Sequence, residues 1–356
     1  MRKINTHNLI FKGLFLFITV AFCLSFYTAH SQTKARTTYN FLNFLPSARL
    51  GATNGTAIAV KDYESTLAYQ NPALLNAEMG GQISLNYVNY ISDANYGVIG
   101  YVAKERKQGV FSASLSYLNY GKFTQTDETS TITGNFSASD YCLSLGWGKQ
   151  LNEVISVGGN FKTIYSAYET YRSFGLAIDL AGHYQHPGKL FSATVLARNV
   201  GAQLKSYSSS TRNNLPIQTQ AAIAYKLEHV PLRFLVMYDN IHNWKLYQPD
   251  TTKSFDPISG QEIVSKSGFG KNLSRHFSLG AEFLISKYFN LRFGYQIRRQ
   301  QELKVAEKAG LIGFSAGVGF KLSKFVFSYG WGKYHFFGNS NHISLIFNPS
   351  DFRKKS

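Results

Sequence analysis

Metal binding by histidine and nucleophilic attack by serine are two chemistries for which this sequence offers candidate residues. His183 and His186 lie close along the chain, but on a strand side chains three positions apart point to opposite faces, and Pro187 follows directly. We therefore expect no metal site at these histidines. The nine histidines and many serines leave a Ser/His/Asp set open, yet no nucleophile-elbow pattern surrounds a serine. We expect a protein that is not an enzyme and that binds no cofactor.

Strands of alternating apolar and polar residues are the elements that must position these side chains. From Gln82 to Asn348 the chain alternates with the period of two that is typical of β-strands. Cys142 lies between Tyr141 and Leu143, so we expect it to face a barrel lumen as a small filler. The segments are centred on Leu85, Ile99, Leu115, Leu145, Phe161, Ile178, Val195, Ile223, Val236, Leu279, Phe293, Val318, Phe327 and Leu345. This even number predicts an all-β fold, a 14-stranded antiparallel transmembrane β-barrel with an N-terminal plug.

The composition favours a membrane barrel over a soluble β-sandwich. Only 16% of the residues are charged and 15% are aromatic. The non-apolar face of the strands is mostly Ser, Gly, Asn and Gln, whereas a solvated sandwich face usually carries Lys, Glu and Thr. The net charge of +17 could indicate nucleic acid, but the basic residues are scattered, so we expect an anionic lipid surface and no nucleic acid. Past residue 30, no apolar run approaches the roughly 18 residues that a spanning helix needs.

The chain divides into four predicted parts. They are a cleavable signal peptide (1–31), a plug (32–81), the barrel (82–348) and a C-terminal tail (349–356). The signal peptide is predicted from the short apolar stretch Leu14 to Phe26 behind a basic start, with an anchoring helix as the alternative. The plug segment is rich in Gly, Pro and small apolar residues and does not alternate, with a periplasmic extension as the alternative. The first and last strands must pair, because lipid offers no partner for a free strand edge.

The connections between the segments alternate between short and long. Short periplasmic turns and longer external loops are the expected arrangement, and 121–137, 166–173 and 241–272 are among the longer connections. Loop 241–272 combines aromatic and basic residues, which suits a partner-docking surface. A mobile loop that faces lipopolysaccharide is the alternative. The aromatic residues of this loop are Trp244, Tyr247, Phe255 and Phe269.

The opening of the mature chain carries a motif that links it to a family. The stretch from Tyr39 to Gly51 contains Phe-Leu-Pro-Ser-Ala-Arg, which ends in Pro46, Ser47, Ala48 and Arg49. This stretch resembles the opening of PorQ proteins.

A second motif, Asn71-Pro72-Ala73, resembles the wider family of FadL-like and PorV-like outer-membrane barrels. We expect a structural role for this triplet. Pro72 lacks a backbone donor and restricts Asn71 to an extended conformation, and Ala73 lets the chain pass close to the wall.

The resemblance implies a role in protein secretion. It implies an outer-membrane scaffold of the type IX secretion system, in an attachment complex with PorU, PorV and a PorZ-like surface protein that joins cargo to lipopolysaccharide. A FadL-like transporter of hydrophobic small molecules is the alternative. The polar strand face argues against such a transporter, and a plug argues against a third possibility, a general porin.

Overall fold

A computed structural model describes residues 37–90, 94–208, 212–244, 246, 254–255, 262–263, 268–303, 310–335 and 338–352. The predicted signal peptide lies outside these residues. Within them, no helix has both the length and the apolar character needed to cross a bilayer.

Fourteen of the strands in the described part of the chain form one closed antiparallel barrel. The strands are β1 (Ile83–Asn89), β2 (Asn95–Val102), β3 (Val110–Thr126), β4 (Ile132–Gln150), β5 (Ile155–Tyr168), β6 (Tyr171–Gln185), β7 (Phe191–Lys205), β8 (Gln218–Lys226), β9 (Leu232–Asp239), β10 (Ser254–Phe255), β11 (Glu262–Ile263), β12 (Phe277–Phe283), β13 (Phe289–Gln296), β14 (Phe314–Lys321), β15 (Phe325–His335) and β16 (Gly338–Phe347). Strands β10 and β11 form a separate pair, and the other strands make the wall. Every predicted segment centre falls in its own wall strand, so the predicted fold class is confirmed.

The barrel closes between its first and last strands. Strands β1 and β16 are antiparallel, with Leu85 directly opposite Leu345. Leu85 is exposed on the outer surface, whereas its neighbours Ser84 and Asn86 are buried inside. Closure therefore satisfies both strand edges and presents an apolar outer surface of the kind that lipid requires.

Short turns lie at one end of the barrel and longer connections at the other, here called the turn end and the loop end. Two predicted loops are wrong in detail. Most of 121–137 is strand, because β3 and β4 continue past the wall as a two-stranded ribbon that turns at 127–131. Strands β5 and β6 meet in a tight turn at Glu169–Thr170 instead of a loop over 166–173, and Glu169 adopts a left-handed φ of 52°. Polar residues lengthen these strands because inter-strand hydrogen bonds do not need an apolar face.

The helices are short and lie mainly in the N-terminal segment. The α-helices are α1 (Ala48–Ala52), α2 (Phe269–Ser274) and α3 (Ile297–Leu303), and the 3₁₀ turns are Asn40–Asn43, Thr56–Ala59, Ser65–Leu67, Pro72–Leu74, Ala77–Met79 and Pro349–Phe352. Residues 37–81, here called the plug, are largely buried against the inner faces of the wall strands.

The C-terminal tail folds back onto the wall at the turn end. The amide of Asn348 donates to the carbonyl oxygen of Gly80 at 3.0 Å. The ring of Phe352 lies 5.4 Å from Phe325 and 6.5 Å from Phe347. The described part of the tail therefore covers the junction between the last two strands, a role that the alternation pattern could not show.

Candidate functional site in the barrel lumen

Helix α1 rests against small residues of the wall. Ser47 caps the helix, because its Oγ accepts a hydrogen bond from the N–H of Leu50 at 3.4 Å. The N–H of Ala48 donates to Ser344 Oγ on β16 at 2.8 Å. A Cβ at Gly330 would lie 2.4 Å from the carbonyl oxygen of Ala48, so only glycine permits this approach. The predicted plug residues Ser47 and Ala48 thus lie where the plug meets the wall.

The Asn-Pro-Ala triplet packs against β4 and β5. Asn71 is extended, and its Oδ1 accepts a hydrogen bond from the N–H of Ala73 at 3.1 Å. Its amide nitrogen donates to Thr194 Oγ1 on β7 at 2.8 Å. A Cβ at Gly158 would lie 2.4 Å from the carbonyl carbon of Pro72. The triplet therefore fastens the plug to three wall strands.

Six charged side chains of the plug and the wall form a buried ion-pair cluster. Its members are Arg49, Asp62 and Glu64 from the plug and Arg233, Glu282 and Arg292 from β9, β12 and β13. Glu282 accepts hydrogen bonds from Arg49 Nε at 2.7 Å and Arg233 Nη1 at 2.7 Å. Glu64 lies 3.1 Å from Arg49 and 2.5 Å from Arg292. Three positive and three negative charges balance, so each charge is compensated away from water.

Sequence reasoning singled out only Arg49 from this cluster. A charged residue on an otherwise small and polar strand face would have indicated the other members of the cluster. Arg292, between Leu291 and Phe293, is such a residue. A charge that alternation directs into the lumen needs a partner there. The sequence alone does not say which partner it is.

Aromatic and aliphatic side chains of the plug and of β1 to β6 pack together inside the lumen, toward the loop end. This lumen aromatic cluster consists of Tyr39, Phe41, Leu42, Phe44, Tyr69, Val88, Tyr90, Ala94, Tyr96, Val98, Leu118, Tyr120, Cys142, Ile164, Ala177, Tyr207 and Leu215. The ring of Phe44 lies 4.5 Å from Tyr90 and 6.0 Å from Tyr96. The lumen toward the loop end therefore holds an apolar cluster beside buried polar residues such as Asp140 and Gln203, which the expectation of a mainly polar lumen did not include. Plug residues supply part of the apolar surface, and the alternation of the wall strands did not reveal them.

A small cavity lies beside the lumen aromatic cluster. Its volume is about 40 Å³. Phe44, Pro46 and Tyr96 belong to its lining, together with the basic residues Lys162 and Arg198. The predicted motif residue Pro46 thus lines a cavity that has both apolar and basic residues in its lining.

The predicted docking residues of loop 241–272 are only partly brought together. The ring of Trp244 lies 5.3 Å from Phe269, which is 72% exposed, and 5.4 Å from His276. Tyr247 lies outside the described residues. Phe255 belongs to the two-residue strand β10, and its side chain is also outside the described part.

The two histidines considered for metal binding do not meet. His183 is buried in the lumen. His186 lies in the turn after β6, where its Nδ1 accepts a hydrogen bond from the N–H of Gly188 at 3.1 Å. Within the described ranges, no three His, Cys, Asp or Glu side chains gather as a metal site.

Comparison with known proteins identifies the fold and not the family. No protein-family model and no curated protein matches the chain. Among solved structures, it is similar to the TodX deltaS2S3 mutant monoaromatic hydrocarbon channel, with a TM-score of 0.51 at 12% identity over 84% of this chain and 97% of that one. It also aligns with the CymD monoaromatic hydrocarbon channel, with a TM-score of 0.48 at 12% identity over 85% of this chain and 96% of that one. A Pseudomonas aeruginosa FadL homologue aligns with a TM-score of 0.47 at 9% identity over 85% of this chain and 98% of that one. The chain therefore shares the closed β-barrel fold of the TodX variant.

Proposed function

We propose that this protein lies in the outer membrane and passes small hydrophobic molecules through its lumen, as a FadL-like transporter. The observation that carries the proposal is the lumen aromatic cluster, which side chains of the plug and the wall form together toward the loop end. An apolar molecule that leaves water gains free energy on such a surface, and aromatic side chains with a few polar groups are typical of ligand sites. The fold shared with the TodX variant, which is named a monoaromatic hydrocarbon channel, supports the same proposal.

Passage requires a movement within the lumen. The cavity beside Phe44 holds about 40 Å³, whereas a site that binds benzene needs about 150 Å³. Leu42 and Phe44 are plug residues of its lining, and we expect their side chains to move when it enlarges. The ion-pair cluster lies further along the plug and holds it to β9, β12 and β13, so the rest of the plug can stay in place.

Uptake of labelled toluene by cells that carry or lack this protein tests the proposal. We expect faster uptake with the protein present and about tenfold slower uptake with Phe44→Gln. A large apolar contact contributes about 1.5–3 kcal/mol, and about 1.4 kcal/mol corresponds to a factor of ten. Phe123→Gln, on the ribbon outside the lumen, is the matched control and should retain uptake. Equal uptake with and without the protein would reject the transporter.

The scaffold of a type IX attachment complex is the second candidate. The observation that favours it is the β3–β4 ribbon, which extends past the wall at the loop end. Ile132 is 70% exposed there, and the exposed Phe123 stacks on Phe136 at 5.2 Å. Within the described ranges, β3 pairs with no strand on the β2 side beyond Asn119, so the ribbon offers a partner both apolar side chains and backbone groups. The PorQ-like opening at residues 39–51 supports the same role, with PorU, PorV and a PorZ-like protein as partners and lipopolysaccharide as the surface.

Purification of the native complex from detergent tests the scaffold. We expect a PorZ-like or PorU-like partner to be recovered with the wild type and lost with Phe123→Ser/Ile132→Ser. Heat-dependent gel mobility should show that this double variant still forms a barrel. Recovery of neither partner with the wild type would exclude the scaffold.

A further inference from the structure

Arg198 on β7 is a buried cation without a carboxylate partner. Its side chain lies in the lumen, where the residue is 4% exposed. Nη1 donates to Gln218 Oε1 at 3.1 Å, and Nη2 donates to the carbonyl oxygen of Leu42 at 3.0 Å, so both partners are neutral. Nε has no hydrogen-bond partner. Among the described residues, no carboxylate oxygen lies within 4.0 Å of this guanidinium.

The same lumen compensates its other fully buried arginines. In the described part of the chain these are Arg49 and Arg292, and both contact carboxylates of the ion-pair cluster. A buried charge without a counter-charge is strongly unfavourable, because the surroundings solvate it poorly. Among the described residues, Arg198 therefore has no carboxylate in direct contact, and Asp179 and Asp239 act on its charge only from a distance.

The carboxylates nearest to Arg198 are already engaged. Asp179 lies 2.7 Å from Lys162 Nζ, and it also accepts a hydrogen bond from the N–H of Asn199 at 2.8 Å. Asp239 accepts hydrogen bonds from the backbone and side-chain nitrogens of Asn240. Lys162 and Asp179 thus neutralise each other, and Asp239 is not in ion-pair contact with Arg198.

The cavity beside Arg198 has the size and lining of an anion site. Its volume of about 40 Å³ exceeds the roughly 10–15 Å³ that one water molecule needs, and it is far too small for a long solute. Arg198, Lys162, Gln70 and three serines, Ser114, Ser116 and Ser144, belong to the polar part of the lining. None of the described lining residues is acidic.

We propose that this cavity binds a small monovalent anion of halide size, held by the Arg198 guanidinium, the Lys162 ammonium and the serine hydroxyls. The anion compensates the charge of Arg198. Because Arg198 also donates to the plug at Leu42, the anion stabilises the closed position of the first plug residues. The site does not depend on whether hydrophobic molecules or partner proteins use the barrel.

Anomalous diffraction from crystals soaked in sodium bromide tests the site directly. We expect a bromide peak between Arg198 and Lys162 in the wild type and its loss in Arg198→Gln. Arg172→Gln, an exposed arginine of β6, is the matched control and should keep the peak. A wild-type map with no bromide in this cavity, or with bromide only at surface lysines, overturns the proposal.

Thermal unfolding in detergent provides a second measurement that does not require crystals. The wild type should unfold at a higher temperature in sodium bromide than in sodium gluconate of equal concentration, because gluconate exceeds the cavity. Arg172→Gln should show the same difference and Arg198→Gln a smaller one. If Arg198→Gln does not form a barrel, the difference between the wild-type unfolding temperatures in the two salts decides. A midpoint that does not differ between the two salts overturns the proposal.

Discussion

Glu282 joins the plug to the wall through several arginines at once. Its two oxygens accept hydrogen bonds from Arg49 and Arg233, and Arg292 Nε lies 3.5 Å away. Glu282, Arg49 and Arg292 are shielded from water and Arg233 is only partly exposed, so the desolvation of the buried charges is offset only while their partners remain. Removal of one member leaves the others as uncompensated buried charges.

Glu282→Gln should therefore destabilise the protein by about 3–5 kcal/mol, the range for a broken buried ion pair. Urea unfolding in detergent, followed by tryptophan fluorescence, measures the change in the free energy of unfolding. The matched control is Glu302→Gln on α3. Glu302 pairs with Arg298 at 3.0 Å near the surface, so its loss should cost about 0–1 kcal/mol. Equal effects of the two substitutions would show that the cluster does not hold the plug.

Strands β4 and β5 let the plug approach because they carry glycine at the contact. At Gly158 an added Cβ would lie 2.4 Å from the backbone of Pro72, and at Gly148 it would lie 2.5 Å from the Pro72 carbonyl oxygen. Backbone atoms cannot rotate out of the way as a flexible side chain can. The wall elements thus specify where the Asn-Pro-Ala triplet lies.

Gly158→Ala should destabilise the barrel by about 1–3 kcal/mol, the usual cost of forcing extra atoms into a packed site. The midpoint of urea unfolding measures this change. Gly182→Ala on β6 is the control, since a Cβ there meets nothing within 4 Å. We expect this control to be neutral or slightly stabilising, because alanine restricts the unfolded chain. A neutral Gly158→Ala would contradict the close contact with Pro72.

The turn of the β3–β4 ribbon depends on one carboxylate. Asp127 Oδ1 accepts hydrogen bonds from Thr129 Oγ1 at 2.7 Å and from the N–H of Thr131 at 2.9 Å. These hydrogen bonds favour the charged form of Asp127 and lower its pKa below the ordinary value of 3.8. The bond from the Thr129 hydroxyl contributes most to this lowering.

Order in this turn should therefore be complete above pH 3.8 and be lost as the pH falls through the lowered pKa of Asp127. The amide resonance of Thr131 in a pH titration reports the change. Asp127→Asn should remove the pH dependence, because its amide does not titrate in this range. A Thr131 resonance that titrates equally in both proteins would assign the effect to another group.

The barrel as a whole combines a closed wall with a filled lumen. Strands β1 and β16 complete the ring, and the plug packs on the inner faces of strands from both halves of it. The buried residues of the plug leave no room for bulk water at Leu50, Ile58 or Leu74. A filled lumen of this kind is expected to conduct ions poorly.

Planar-bilayer recordings should show little steady conductance for the wild type. A variant that lacks residues 37–81 should give steady open currents, because the plug no longer occupies the lumen. Heat-dependent gel mobility has to show first that the shortened chain forms a barrel. Wild-type currents as large as those of the shortened chain would mean that the plug does not close the lumen.

The wall strands could be predicted from the sequence because their signal is local. Alternation around Leu85 or Phe327 places neighbouring side chains on opposite faces whatever the rest of the chain does. The need to avoid a free edge in lipid then pairs β1 with β16. The ends of the strands were less predictable. Beyond the wall, the polar residues of β3 and β4 form the same backbone hydrogen bonds between strands that apolar residues form.

The contents of the lumen were decided only by the tertiary structure. Glu64 and Arg292 lie far apart in the chain, and no spacing rule joins them. The same holds for Phe44 and Tyr90, whose contact depends on the path of the plug. Alternation determines whether a side chain enters the lumen. Which side chain it meets there depends on long-range packing, and that packing produces both the lumen aromatic cluster and the buried position of Arg198.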